Sequence, residues 1–121
     1  MFEGILSLFK KLSAWRNQKG KVAADSVAAE LKKASRRDWK VEIHAGRYIY
    51  ISLLQPLDKM EPEIYRQYLQ QLNSLSDAFF IENNTILKCR LRPKEVKRFL
   101  SIIKENGLKL QKLVNDGVNP R

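Results

Sequence analysis

The stretch AFFIENNTILKCRLR, at residues 78–92, gives the clearest indication of how this chain folds. Two runs rich in β-forming side chains flank the pair Asn83-Asn84. Asparagine tolerates the positive φ that a tight hairpin turn requires. In the second run, apolar Leu87, Cys89 and Leu91 alternate with basic residues, which is the period-two pattern of a half-buried strand. The stretch therefore predicts a β-hairpin.

A second hairpin is predicted upstream, over residues 38–53. Trp39, Val41 and Ile43 alternate there with polar residues, and a turn follows at Ala45-Gly46. The run at 47–53 then places three aliphatic side chains on one face and two tyrosines on the other. We expect both hairpins to lie in one antiparallel sheet.

Helices are predicted on both sides of the hairpins from apolar residues at helical spacing. Two helices are predicted over residues 2–17 and 22–35. A third is predicted to begin near Glu61-Pro62, and a fourth at Pro93. Asn106-Gly107 indicates the end of the last of them. For residues 108–110 the pattern fits a short strand and a packed extension equally well.

These elements predict an α+β fold. Two N-terminal helices are followed by a repeated β-hairpin–helix unit, forming a four-stranded antiparallel sheet backed by helices. The two units lie about 37 residues apart, which fits an internal duplication and equally the frequency of such units in small α+β folds. We divide the chain into an amphipathic N-terminal helix at 1–19, a single α+β domain at 20–115 and a flexible tail at 116–121.

The composition is that of a soluble globular protein. The chain has 121 residues, of which 44% are hydrophobic, enough for one domain with a core. No apolar run approaches the roughly 18 to 20 residues that a membrane span needs, and the N-terminus lacks the basic leader of a secretory signal. The single cysteine, Cys89, suits a reducing compartment, so we expect a cytoplasmic location.

The charge is strongly positive and unevenly distributed. The net charge is +10, and residues 88–121 hold ten Lys or Arg against three Asp or Glu. Residues 1–21 are also basic, whereas residues 48–87 are mildly acidic. A fold that brings the two ends together would have a basic face suited to a polyanion.

Residues for catalysis are scarce. The chain has one histidine and one cysteine, no metal-ligand cluster of usual spacing and no glycine-rich phosphate loop. His44 is expected to be an exposed imidazole without a role, and Cys89 to be a small core residue. We therefore expect no enzyme activity, no metal and no cofactor.

A basic strand favours nucleic acid as the partner, either DNA or RNA. If Leu87, Cys89 and Leu91 point inward, the basic residues between them form an outward row with a spacing of about 6.5 to 7 Å. Tyrosines on the neighbouring run would add stacking surface. The candidate nucleic-acid-binding residues are Arg47, Tyr48, Tyr50, Lys88, Arg90, Arg92, Lys94, Lys97 and Arg98. An ordinary solvent-facing strand remains the alternative.

The N-terminal helix supports a different class of function. Its bulky apolar residues are Phe2, Ile5, Leu6, Phe9, Leu12 and Trp15, and basic residues follow them. This composition fits a helix that inserts into an anionic membrane surface, or one that docks on a partner protein. A peripheral membrane or complex-assembly adaptor is therefore the alternative function. The same helix would also serve to cover the core of its own domain or to form a homodimer interface.

Overall fold

The computed structural model describes residues 21–44 and 48–118, which form an α+β fold with four helices and a four-stranded antiparallel sheet. The elements in chain order are α1 (residues 21–35), β1 (Trp39–His44), β2 (Tyr48–Leu53), α2 (Pro62–Leu75), β3 (Phe79–Glu82), β4 (Ile86–Leu91), a 3-10 turn (Pro93–Glu95), α3 (Val96–Glu105) and α4 (Gly107–Val118). Within these ranges no helix is long and apolar enough to cross a membrane.

Both predicted hairpins are confirmed, and they join through their second strands. The strand order is β1-β2-β4-β3, so β2 and β4 are central. One row of paired residues crosses the sheet from Val41 to Ile51, then to Cys89 and on to Phe79. In the second hairpin, Asn83 and Asn84 have φ values of 52° and 64°, the left-handed conformation for which asparagine is suited.

One face of the sheet and the buried sides of the helices form a single core. The alternating pattern explains which strand residues take part, because side chains two apart share a face. The buried strand residues are Trp39, Ile49, Ile51, Leu53, Phe79, Leu87, Cys89 and Leu91. The helices contribute Leu31, Leu72, Phe99, Ile103, Leu110 and Val114, among others.

A close contact joins α4 to α2. The buried hydroxyl of Tyr68 donates a 2.7 Å hydrogen bond to the carbonyl of Leu113. A Cβ atom on Gly117 would lie 2.5 Å from that hydroxyl oxygen and 2.7 Å from the side chain of Leu57. Glycine is therefore the residue that lets the last turn of α4 approach Tyr68.

The predicted repetition of one hairpin–helix unit is wrong. The first hairpin is followed by one helix, whereas the second is followed by a 3-10 turn and two helices. Asn106 ends α3 as predicted, but a new helix begins at once because Leu110, Leu113 and Val114 supply another buried stripe. Residues 108–110 therefore belong to α4.

The C-terminal end of the chain differs from the prediction, and part of the N-terminal prediction lies outside the described residues. The sequence assigns residues 116–121 to a flexible tail, but 116–118 are helical and Gly117 and Val118 are buried. Of the two predicted N-terminal helices, the one at 22–35 corresponds to α1. The predicted helix at 2–17, and with it the segment 1–19, lies outside the described residues.

Candidate functional site

The second face of the sheet, called here the open face, carries polar and aromatic side chains. Its described residues are Lys40, Glu42, His44, Tyr48, Tyr50, Ser52, Phe80, Glu82, Lys88 and Arg90, together with the aliphatic Ile86. All of them except Ser52 are exposed or half-buried. None of the four described helices therefore covers this face.

Aromatic rings cluster at the middle of the open face. The ring centroids of Tyr48 and Tyr50 are 6.4 Å apart, because the two residues alternate along β2. His44, on β1, stands edge-on to Tyr50 with 4.7 Å between ring centroids. The three rings therefore form one aromatic cluster on this face.

Basic groups from β4 and the residue after it surround these rings. Tyr50 pairs with Arg90 in the register of β2 and β4, and Ser52 pairs with Lys88. The guanidinium carbons of Arg90 and Arg92 lie 5.6 and 5.9 Å from the centroid of the Tyr48 ring, and the Lys88 ammonium lies 5.9 Å from that of Tyr50. These distances are in the range of cation–π attraction, worth about 0.5 to 1 kcal/mol at exposed sites.

Carboxylates balance part of this charge. Lys88 pairs with Glu82 at 2.6 Å, and Glu42 contacts both Lys40 and His44 at 3.2 Å. The hydrogen bond from Lys88 to Glu82 raises the pKa of the lysine. The hydrogen bonds from His44 and then Lys40 lower the pKa of Glu42.

The two arginines differ from the lysines in this respect. Among the described residues, Arg90 makes no ion pair, and Arg92 has only Glu95, with 3.9 Å between Nε and a carboxylate oxygen. Both guanidinium groups are exposed. Arg90 and Arg92 are therefore the cations on this surface that are most available to an external anion.

An open concavity of about 440 Å³ adjoins the tyrosines. It is lined by Tyr48, Asp77, Ala78, Phe80, Arg90, Arg92 and Glu95, and is called here the Tyr48 concavity. A second concavity shares Asp77, Ala78 and Glu95 with it and continues past Arg98 and Asn73 on the helical side. The surface next to the sheet therefore combines aromatic, cationic and anionic groups.

The structure brings together five of the predicted site residues, namely Tyr48, Tyr50, Lys88, Arg90 and Arg92. Lys94 is exposed in the 3-10 turn, and Lys97 and Arg98 are exposed on α3, where Arg98 lines the second concavity. Arg47 lies outside the described residues, as do the proposed membrane or partner contacts Phe2, Ile5, Leu6, Phe9, Leu12 and Trp15.

Sequence reasoning missed four members of this surface. His44 is exposed as expected, but it packs against Tyr50 instead of standing alone. Phe80 and Glu82 lie on the open face of β3. The sequence indicated this position, because strand residues alternate between the two faces and Phe79 is buried in the core. Asp77 lies in the turn before β3, and the register of β3 with β4 brings this turn next to Arg90, so that Asp77 and Arg90 line the same concavity.

Two kinds of reactive group would bear on catalysis among the described residues, namely metal-ligand clusters and an activated thiol. Within 21–44 and 48–118 no group of three His, Cys, Asp or Glu side chains is arranged to hold a metal ion. Cys89 is fully buried, and burial raises the pKa of its thiol, which suppresses the reactive thiolate.

No protein-family model, curated protein or solved structure matches this chain. Function therefore has to be inferred from the open face itself.

Proposed function

We propose that this chain is a non-catalytic protein that binds single-stranded nucleic acid, DNA or RNA, on the open face. The observation that carries the proposal is the Tyr48–Tyr50 pair, flanked by Arg90 and Arg92 on a sheet face that none of the described helices covers. We place it in the cytoplasm, because its one cysteine is a buried free thiol.

The aromatic cluster supports stacking with bases. Base–aromatic stacking contributes about 1 to 3 kcal/mol per base and tolerates any base, since each base has a π face. Tyr48 and Tyr50 are half-buried, so the described part of the chain covers neither residue completely. Sheet surfaces with adjacent aromatic residues bind the bases of single strands in the same way.

The arginines support contacts with phosphate. A planar guanidinium forms bidentate hydrogen bonds with phosphate oxygens. Arg90 lies in β4, and Arg92, two positions later, follows the strand in extended backbone. Alternate positions lie about 6.5 to 7 Å apart, which is close to the separation of successive phosphates in an extended strand. Bases on the tyrosines and phosphates on the arginines are thus compatible within one strand.

Single strands fit this face better than duplexes. The bases of a duplex stack on one another, so their faces are not available to Tyr48 and Tyr50. Lys40 and Lys88 pair with Glu42 and Glu82, which leaves a small number of cations for the broad backbone of a duplex. Affinity should therefore depend on stacking as well as on charge.

The test is a salt-titrated binding assay on the full chain, with short single-stranded RNA and DNA, the matching duplexes, and anionic vesicles. Replacing Tyr48 and Tyr50 by leucine should weaken single-strand binding about tenfold or more, with little change in salt dependence. Arg90→Gln with Arg92→Gln should reduce the slope of log K against log salt by about 1.4, because each lost phosphate contact is worth about 0.7.

The matched control is Lys109→Gln with Lys112→Gln, which removes the same charge from exposed positions of α4. This control should leave the slope nearly unchanged. If the arginine and lysine double variants reduced the slope of log K against log salt equally, this result would contradict binding at the open face. Binding to anionic vesicles without binding to nucleic acid would instead support the adaptor alternative.

A further inference from the structure

We infer that the Tyr48 concavity selects guanine within the bound single strand. The inference rests on the proposed function and adds a base preference to it. Its basis is that aromatic, cationic and anionic side chains line one small space, a combination that matches the chemistry of one base.

The concavity has the volume of a ligand site. Its volume of about 440 Å³ falls in the range of roughly 300 to 1,000 Å³ that is usual for such pockets. Tyr48 and Phe80 supply ring surface, Arg90 and Arg92 supply donors, and Asp77 and Glu95 supply acceptors. A base entering from the tyrosines would meet all three kinds of group.

Guanine is the base that can form hydrogen bonds with both a carboxylate and a guanidinium through its edges. Its Watson–Crick edge has two adjacent donors, N1–H and the N2 amino group, which match the two oxygens of a carboxylate that only accepts. Its O6 and N7 atoms are acceptors for a guanidinium, which has five N–H donors and can therefore contact a phosphate and a base edge at the same time. Adenine, cytosine and uracil each lack two adjacent donors on that edge, so none of them satisfies a carboxylate and an arginine in this way.

Glu95 and Asp77 differ in their contacts, and we therefore assign different roles to the two carboxylates. Glu95 lies 3.9 Å from Arg92 and therefore helps to position that guanidinium. The carboxylate of Asp77 makes no ion pair or side-chain hydrogen bond with any residue in 21–44 or 48–118, although it lines the same space. Asp77 is thus the acceptor that is available for the donors of guanine.

The experiment compares four octanucleotides that are uridine throughout except at one central position, which is guanosine, inosine, adenosine or uridine. Inosine differs from guanosine only in lacking the N2 amino group. The full chain should bind the guanosine oligonucleotide about tenfold more tightly than the inosine one, since a good bidentate pair discriminates by about that factor or more. The adenosine and all-uridine oligonucleotides should bind no better than the inosine one.

The variant Asp77→Asn should bring the guanosine-to-inosine ratio close to one, because an amide can accept through only one atom. The loss of a negative charge should raise the affinity for every oligonucleotide slightly, so the ratio is the measure. Asp25→Asn removes the same charge from an exposed position on α1 and should preserve the ratio. Glu95→Gln should also preserve most of the guanosine-to-inosine ratio.

Equal binding of guanosine and inosine by the unmodified protein would overturn the inference, while the proposed function would stand. No binding of any oligonucleotide would overturn both. Loss of the ratio in Glu95→Gln, with its retention in Asp77→Asn, would overturn the assignment of Asp77.

Discussion

The ammonium group of Lys88 lies 2.6 Å from the carboxylate of Glu82 on the adjacent strand. The side chain of Lys88 is only 17% exposed, and the hydrogen bond to Glu82 raises the pKa of the lysine. The sequence presents Lys88, Arg90 and Arg92 as three equivalent cations. The structure shows that one of the three is already neutralised within the protein, because β3 places an acid beside it.

Replacing Glu82 by glutamine should therefore strengthen the binding of single-stranded nucleic acid. The freed Lys88 would add one phosphate contact, so the slope of log K against log salt should steepen by about 0.7. The measurement is fluorescence anisotropy at several salt concentrations. Glu63→Gln is the control, since it removes the same charge and breaks an ion pair with Arg66 on α2. Identical slopes in the two variants would contradict the role assigned to Glu82.

Alternation along the strands made much of the fold and part of the site predictable. Leu87, Cys89 and Leu91 are all buried, which is what their period of two indicates. The pair Asn83-Asn84 adopts the positive φ that its residue type favours. These features depend on neighbours in the sequence, so local preferences are sufficient to predict them.

The remaining features of the site depend on the strand order. Tyr50 faces Arg90 only because β2 pairs with β4, and nothing in either strand specifies that partner. The same pairing leaves β3 at the edge of the sheet, whereas the pairing of β3 with β4 inside the second hairpin sets Glu82 beside Lys88. The second helix after β4 was missed because Asn106-Gly107 correctly indicates the end of α3 but not the start of α4.

Gly117→Ala should destabilise the fold. The new Cβ would lie 2.5 Å from the hydroxyl of Tyr68, and overpacking of this kind costs about 1 to 3 kcal/mol. Gly107→Ala is the matched control, because its Cβ would make an ordinary 3.7 Å contact with Ala34. Urea denaturation should show a lower midpoint for Gly117→Ala alone. Equal midpoints for both variants would show that α4 can shift without cost.

Arg36→Gly should stabilise the fold by about 0.5 to 1 kcal/mol. Arg36 follows α1 with φ of 59°, and its N–H donates to the carbonyl of Lys32 at 2.7 Å. Left-handed backbone is strained for arginine, whereas glycine adopts it freely. Arg36→Ala removes the same guanidinium but keeps the Cβ atom, so it should give no gain. The comparison requires only the free energies of unfolding from denaturant titrations.

Tyr68→Phe should cost about 1 kcal/mol at neutral pH, because it removes the hydrogen bond to Leu113 from a buried position. Burial raises the pKa of Tyr68, so the folded state holds the phenol proton more tightly than the unfolded state does. The stability that this proton provides is fully present below the ordinary tyrosine pKa of about 10 and decreases as the pH rises above it. The difference in unfolding free energy between the unmodified protein and Tyr68→Phe should therefore shrink above pH of about 10. Tyr65→Phe, on the same helix and without a hydroxyl hydrogen bond to a described residue, should have a smaller effect at neutral pH. A constant difference between the unmodified protein and Tyr68→Phe from neutral to alkaline pH would contradict the proposed role of the buried hydroxyl.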